Sequence, residues 1–266
     1  MSELKLLGRK QALSNDAWLT AVKNIENTIS KSEIEELTEK TIFNIKETTG
    51  SKNTAYAWSG GKDSIVLGNI CERANITKSM VGVCDLEYPV FLSWIEENKP
   101  KGCEIVNVGL GLDWLAKHPE MLFPNDCTKA GRWFSIVQHK AQKIYFKNQN
   151  LDILVLGRRH ADGNYTGKGS NIYTDGKGVT RYSPLADWKH EHILAYIYYN
   201  KLSLPPIYGW KNGYVCGTHP WPARQYTENI SNGWQEIYDI DPAIVKAAAE
   251  KIESAKHFLN ERGVSK

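Results

Sequence analysis

Two hydrophobic periods divide the chain. Over residues 1–50 apolar positions recur at helical spacing with charges between them, and the pattern predicts helices over Asp16–Ile29 and Ser32–Ile45. Ser32, with Glu35 three residues on, has the form of a capping box. From Thr54 short apolar runs alternate with helical stretches. Thr54–Trp58, Ser79–Asp85, Glu104–Val108 and Asp152–Leu156 read as strands, with helices over Ser64–Ala74, Tyr88–Asn98 and Ala130–Phe146 between them. Such alternation predicts βαβ units: an α/β fold with a parallel twisted sheet and helices on both faces. The expected organisation is a helical N-terminal extension (1–50), the α/β domain (51–210) and an irregular C-terminal extension (211–266) over the site. Open α/β sheets carry ligands beyond the carboxyl ends of their strands. Chemistry is therefore expected in the loops 59–64, 85–87 and 157–163. Gly163–Thr180 is Gly-rich and without periodicity; it reads as a mobile loop or hairpin over the site, or as a disordered surface loop.

Composition changes this picture little. Of 266 residues 41% are hydrophobic and 24% charged, and Lys and Arg exceed Asp and Glu by 33 to 30. A net charge of +3 does not by itself argue for nucleic acid. Met1–Lys10 has no apolar core of a signal peptide, and the apolar run Leu151–Leu156 is too short to cross a bilayer, so the reading is a cytoplasmic protein with no membrane association. The five cysteines (71, 84, 103, 127 and 216) are odd in number and widely spaced, which fits reduced thiols.

The loop after the first predicted strand reads Ser59-Gly60-Gly61-Lys62-Asp63-Ser64. Two glycines let backbone N–H groups approach an anion without a Cβ in the way. The helix that follows adds its N-terminal donors and dipole. Ser59 and Ser64 supply hydroxyls and Lys62 a charge, which together make a phosphate or pyrophosphate cradle. The loop is not a Walker A sequence, because Asp63 follows the lysine. The loop after Asp152–Leu156 reads Gly157-Arg158-Arg159-His160, and adjacent arginines suit phosphate oxygens.

Ser59–Ser64 resembles the PP-loop of the ATP pyrophosphatase superfamily, whose members cleave ATP between the α and β phosphates. Gly157-Arg158-Arg159 resembles the motif of the phosphoadenosine-phosphosulfate reductase branch, and of the ATP sulfurylase small subunit and FAD synthetase. So does Tyr182–Trp188, followed by the helix Lys189–Asn200 and the turn Leu204-Pro205-Pro206-Ile207-Tyr208, with Asp187 read as the helix N-cap and Trp188 as core. Asp85 matches the family's aspartate after the second strand, near the nucleoside; Leu86 and Glu87 depart from it. The resemblance implies an adenine-nucleotide α-hydrolase-like fold. It also implies nucleotide contacts from residues 59–64, Asp85 and Gly157, and charge neutralisation by Lys62, Arg158 and Arg159.

Within the family, sulfonucleotide reductases use a C-terminal cysteine, usually with a degenerate phosphate loop. Here the loop is intact and no cysteine follows Cys216, which favours ATP with Mg2+, and adenylyl transfer or pyrophosphate release linked to sulfur or nucleotide metabolism. The alternatives are a sulfonucleotide reductase using Cys216, and a partner-dependent nucleotide-binding subunit or sulfur-transfer protein acting on nucleic acid. Lys129, Arg132, Lys140 and Lys143 are the basic residues on one helical region, read as a solvated face. A protein partner or homo-oligomer is compatible with the sequence. Some relatives hold an iron–sulfur cluster where this chain has Asp126-Cys127 and Cys216-x-x-His219. These four residues suit zinc or an unusual cluster at most, and the metal-free reading is preferred.

Overall fold

The computed structural model describes residues 13–225 and 227–263. Six strands form one sheet: β1 (Thr54–Ala57), β2 (Ser79–Val83), β3 (Glu104–Asn107), β4 (Ile153–Val155), β5 (Ile172–Thr174) and β6 (Thr180–Tyr182), in the order β3-β2-β1-β4-β6-β5. β1 lies parallel to both β2 and β4, with Tyr56 opposite Ser79 and Ala55 opposite Leu154. β4 is parallel to β6, and β5 returns antiparallel to β6. The fold is the expected α/β architecture, on a mostly parallel sheet. The Gly-rich stretch after β4 is thus a hairpin, closed by Asp175, whose side chain accepts from the backbone of Lys177 and Val179.

The chain divides into two compact units. The first holds the described residues up to Val81, Trp94–Val106 and Gln142–Thr218; the second holds Gly82–Ser93, Asn107–Ala141 and the described residues from His219 on. In the first unit the N-terminal segment forms helices Asn15–Lys23, Ile25–Thr28 and Lys31–Thr49. Ser30 caps the last of these, accepting from the Glu33 backbone N–H at 3.2 Å, so the expected cap at Ser32 is corrected by two residues. Both serines fit the local pattern; the chain bends at Ile29, which is extended, and only Ser30 stands before the first helical residue. Ile34, Thr38, Thr41, Ile42 and Ile45 form its buried face. The threonine hydroxyls donate back to carbonyls one turn earlier, as Thr38 does to Ile34 at 2.6 Å. Thr41 also accepts the indole N–H of Trp188, a core residue as expected.

The long helix expected over Ala130–Phe146 runs from Cys127 to Asn148 but contains a π turn at Ser135–His139. There Gln138 donates to the Gly82 carbonyl at 2.9 Å, and Ala141 sits so close to Gly82 that a Cβ on the glycine would lie 2.7 Å from it. The tail differs from its irregular expectation. Helices Ile230–Ile240, Pro242–Ala249 and Glu253–Glu261 are capped by Asn229, Asp241 and Ile252, the first two through their side chains. They bury Trp234, Ile237, Val245, Ala248 and Phe258. Gly233 is packed against the Phe123 ring, itself edge-on to Trp234 at 5.1 Å. Among the described residues no helix is long and apolar enough to cross a membrane.

Candidate functional site

The Ser59–Ser64 loop leaves β1 at its carboxyl end and turns directly into the helix Lys62–Arg73. Gly60 adopts φ +67°, a left-handed conformation that a side chain disfavours. Gly61 caps the helix without a side chain, and a Cβ there would meet Thr218 Oγ1 at 3.2 Å and Tyr208 Oη at 3.6 Å. The two serines close the loop on itself. Ser64 Oγ donates to the Gly61 carbonyl at 2.9 Å and accepts from the Ser59 backbone N–H at 3.0 Å. Thr218 Oγ1 donates to the Ser59 carbonyl at 3.3 Å.

Lys62 is 1% exposed. Its ammonium pairs with Asp63 Oδ2 at 2.7 Å and lies 5.0 Å above the centre of the Trp18 ring. The other oxygen of Asp63 accepts from Arg159 Nε, also at 2.7 Å. Arg159 is fully buried and donates further to Asp162 (2.9 Å), the Trp188 carbonyl (3.1 Å) and His190 Nδ1 (3.2 Å). A guanidinium supplies donors only, so His190 Nδ1 is the acceptor in that bond. Gly157 makes this convergence possible: a Cβ on it would lie 3.1 Å from the Asp63 carbonyl oxygen. The loops after the adjacent parallel strands β1 and β4 therefore meet at Asp63.

The two predicted arginines diverge. Arg159 turns into the ion-pair network, while Arg158, half-buried, donates to Tyr173 Oη of the hairpin at 2.6 Å. Burial lowers the Arg158 pKa from the usual guanidinium range, with Arg181 adding to the effect. His160 bridges loop and hairpin through Thr166 Oγ1 at 2.7 Å and Asp187 Oδ1 at 3.1 Å. Asp187 is thus not the helix N-cap expected of it. The helix starts at His190 with Lys189 as its cap residue, two positions too late for Asp187 to reach.

Sequence reading missed Tyr208, whose hydroxyl accepts the Lys62 backbone N–H at 2.7 Å. Burial pushes its phenol well above the usual range, so it stays a neutral acceptor and donor. The turn bearing it is held by Gly213, where a Cβ would lie 2.2 Å from the Ile207 carbonyl oxygen. A Gly213→Ala variant is therefore expected to lose about 1–3 kcal/mol, read as a lowered melting temperature; an unchanged melt would show that the turn adjusts freely. Trp18, Asp162, His190 and Thr218 were also missed, since each meets the loop from a distant part of the chain.

In the second unit, Asp85 is exposed and accepts from Asn107 Nδ2 at 2.6 Å. Two residues on, Glu87 is buried, with Cys84 Sγ 3.8 Å from Oε1 and no hydrogen-bond partner at Oε2. Burial pushes its carboxyl up to about 8.

For metals, Asp126 is exposed and caps Cys127–Phe134, accepting from the Lys129 N–H at 2.8 Å, which holds its carboxyl below the ordinary range. Cys216 is buried in the first unit, whereas Asp126 and His219 belong to the second. Among the described residues no three His, Cys, Asp or Glu are grouped to hold a metal ion, and the Cys127 side chain lies outside them. Both oxygens of Asp63 are engaged by cations, so the loop offers no ready-made magnesium site of its own. Magnesium would fit there as the companion of a nucleotide's phosphate oxygens.

A family model for the phosphoadenosine phosphosulfate reductase domain matches residues 112–216. No curated protein matches the chain in sequence. Among solved structures, phosphoadenylyl-sulfate (PAPS) reductase from Candida auris in a phosphate complex aligns with a TM-score of 0.49 and 14% identity, over 69% of this chain and 94% of that one. NH3-dependent NAD synthetase from Campylobacter jejuni subsp. jejuni NCTC 11168, in complex with the nitrate ion, aligns at 0.41 and 14%, over 85% and 95%. NMN synthetase from Francisella tularensis aligns at 0.44 and 13%, over 86% and 93%. The matched segment begins after the Ser59–Ser64 loop and carries Arg158, Arg159 and Tyr208. The segment 112–216 is similar to the phosphoadenosine phosphosulfate reductase domain, and together with the Ser59–Ser64 loop that precedes it this fits the PP-loop ATP pyrophosphatase superfamily.

Proposed function

We propose that the chain binds ATP at the Ser59–Ser64 loop and cleaves it between the α and β phosphates. The observation that carries this reading is the meeting of two phosphate-suited loops at Asp63, beyond the carboxyl ends of the neighbouring strands β1 and β4. Gly60 and Gly61 add no side chain of their own before the helix N-terminus, where the β and γ phosphates would sit beside the Thr218 and Tyr208 hydroxyls that approach Gly61. Lys62 opens the helix at that space and would neutralise phosphate charge, with Arg158 from the loop after β4 as a second cation, while Arg159 holds Asp63 in place. In the reaction an acceptor oxygen bonds to the α phosphorus as the bond from phosphorus to the α–β bridging oxygen breaks. The acceptor's proton goes to solvent, and pyrophosphate leaves with the electron pair. Magnesium, when bound with ATP, would supply charge neutralisation on the phosphate chain. The protein contributes positioning and fixed charge, and no side-chain nucleophile is required.

The test is pyrophosphate release from ATP, with mass detection of any AMP-bearing product across sulfate, nucleotide and nucleic-acid acceptors. Lys62→Ala is expected to lower the rate by about 10²–10³, the usual scale for removing one fixed charge from a developing anion. Equal rates in wild type and variant would sink the role given to Lys62. The similarity of residues 112–216 to the phosphoadenosine phosphosulfate reductase domain supports a second reading, reduction of a sulfonucleotide. It would draw on Cys216, which is 4% exposed. Sulfite release in a thioredoxin-coupled assay, without pyrophosphate release from ATP, would favour it instead.

A further inference from the structure

Trp18 belongs to the helix Asn15–Lys23, far in sequence from the phosphate loop, yet it is 0% exposed and lies beneath the Lys62 ammonium. Its ring stacks on Tyr214 at 5.8 Å with the planes 13° apart, and meets His190 edge-on at 4.7 Å. Asn15, one turn before, accepts the Tyr214 backbone N–H at 3.0 Å, which fixes the helix against the same tyrosine. The indole is therefore clamped, with one face toward a buried cation.

Its Nε1 is buried without a hydrogen-bond partner. Such orphaned donors are rare in folded proteins. Phenylalanine in the same position would leave no donor stranded. What the indole adds is the aromatic face with the strongest pull on a cation. An ammonium carries three protons. For Lys62 one points to Asp63 Oδ2, and the ring below attracts the cation from a second side. Carboxylate and π face thus hold Lys62 at a fixed reach before any anion arrives.

We propose that Trp18 is a positioning residue for Lys62: the N-terminal helix supplies the π face that holds the lysine ready for the phosphate chain of the nucleotide. The inference rests on the ATP reading for the ligand, but the hold of Trp18 on Lys62 is measurable without it. Because that hold is preset, losing it affects recognition of the phosphates and spares recognition of the nucleoside.

The experiment uses the full chain with Trp18→Leu and Trp18→Phe. Reductive methylation followed by mass spectrometry reads the reactivity of Lys62. The expected order is wild type slowest, Trp18→Phe a few-fold faster and Trp18→Leu about tenfold or more faster. Calorimetric titration with ATP and with adenosine reads the phosphate contribution. Trp18→Leu is expected to weaken ATP binding about tenfold and leave adenosine unchanged, with Trp18→Phe recovering most of the loss. Lys62 reactivity that is the same in all three proteins overturns the proposal, as does an unchanged ratio of ATP to adenosine affinity. Should Trp18→Leu fail to fold, Trp18→Phe decides on the methylation readout: a few-fold faster Lys62 supports the proposal and an unchanged rate overturns it. A wild type that binds ATP no better than adenosine overturns the ATP reading, and the methylation order then still decides whether Trp18 holds Lys62.

Discussion

Asp63→Ala is expected to lower the free energy of unfolding by about 3–5 kcal/mol and to abolish nucleotide binding. The Asp63 carboxylate lies between Lys62 Nζ and Arg159 Nε, each at 2.7 Å. Both cations are almost fully buried, at 1% and 0% exposure, while the carboxylate itself keeps 24%. Removing it takes the shared carboxylate from two buried cations where water cannot replace it, which costs far more than a surface pair would. Arg159 keeps Asp162 as a partner, whereas Lys62 would be left with the Trp18 face. Asp63→Asn tests the charge at nearly constant shape. Its carbonyl can still accept from one cation, but its NH2 group faces the other, so it should rank between wild type and alanine. Urea unfolding of the three proteins checks the order. An alanine variant within about 0.5 kcal/mol of wild type would mean that the network rearranges around the loss.

The second large effect is a pH dependence carried by Glu87. Its carboxyl is pushed up from 4.5 to about 8, chiefly by burial, against partial compensation from the Cys84 backbone N–H and thiol. The Cys84 thiol is itself pushed up by burial and stays protonated. A folded-state value above the unfolded one means that folding favours the proton. The contribution is fully present below pH 4.5 and is lost as pH rises through about 8. At about 1.4 kcal/mol per unit, the span corresponds to a loss on the order of 5 kcal/mol. Glu87→Gln keeps the shape and removes the titration. Its denaturation midpoint should stay level between pH 6 and pH 9 while that of wild type falls. Parallel behaviour of the two proteins would assign the pH dependence elsewhere.

Much of the fold was legible because its signals are local. The order of strands and helices through Asn98, and the strand-to-helix turn at 59–64, follow from contiguous residues: a strand, two glycines and a helix start. What those side chains do was not legible, because their partners are remote. Lys62 meets Trp18 and Tyr208, Asp63 meets Arg159, and no spacing rule links these positions. The adjacent arginines looked alike in sequence. Their environments separate them, one facing Asp63 and Asp162 and the other facing Tyr173. Local ambiguity accounts for other differences. Ser32 carried the capping-box pattern while Ser30 makes the cap, and Asp187 has the chemistry of a cap but stands two positions before the residue that fills it. The tail carries helical spacing in Trp234, Ile237, Ile244, Val245 and Ala248, obscured by the break at Asp241-Pro242.

The π turn at Ser135–His139 makes the helix that contains it out of phase with itself. A π turn holds one residue more than an α turn of the same helix. Deleting a single residue there would let the segment relax to plain α-helix and rotate everything after it by about 100°. Ala141 and Tyr145, both buried, would swing off the core, and lysines such as Lys140 and Lys143 would turn with them. The stretch between Cys127 and Asn148 is therefore counted to the residue. Its side chains can drift within their polar or apolar class, but its length cannot change by one without losing the seat of Ala141 on Gly82.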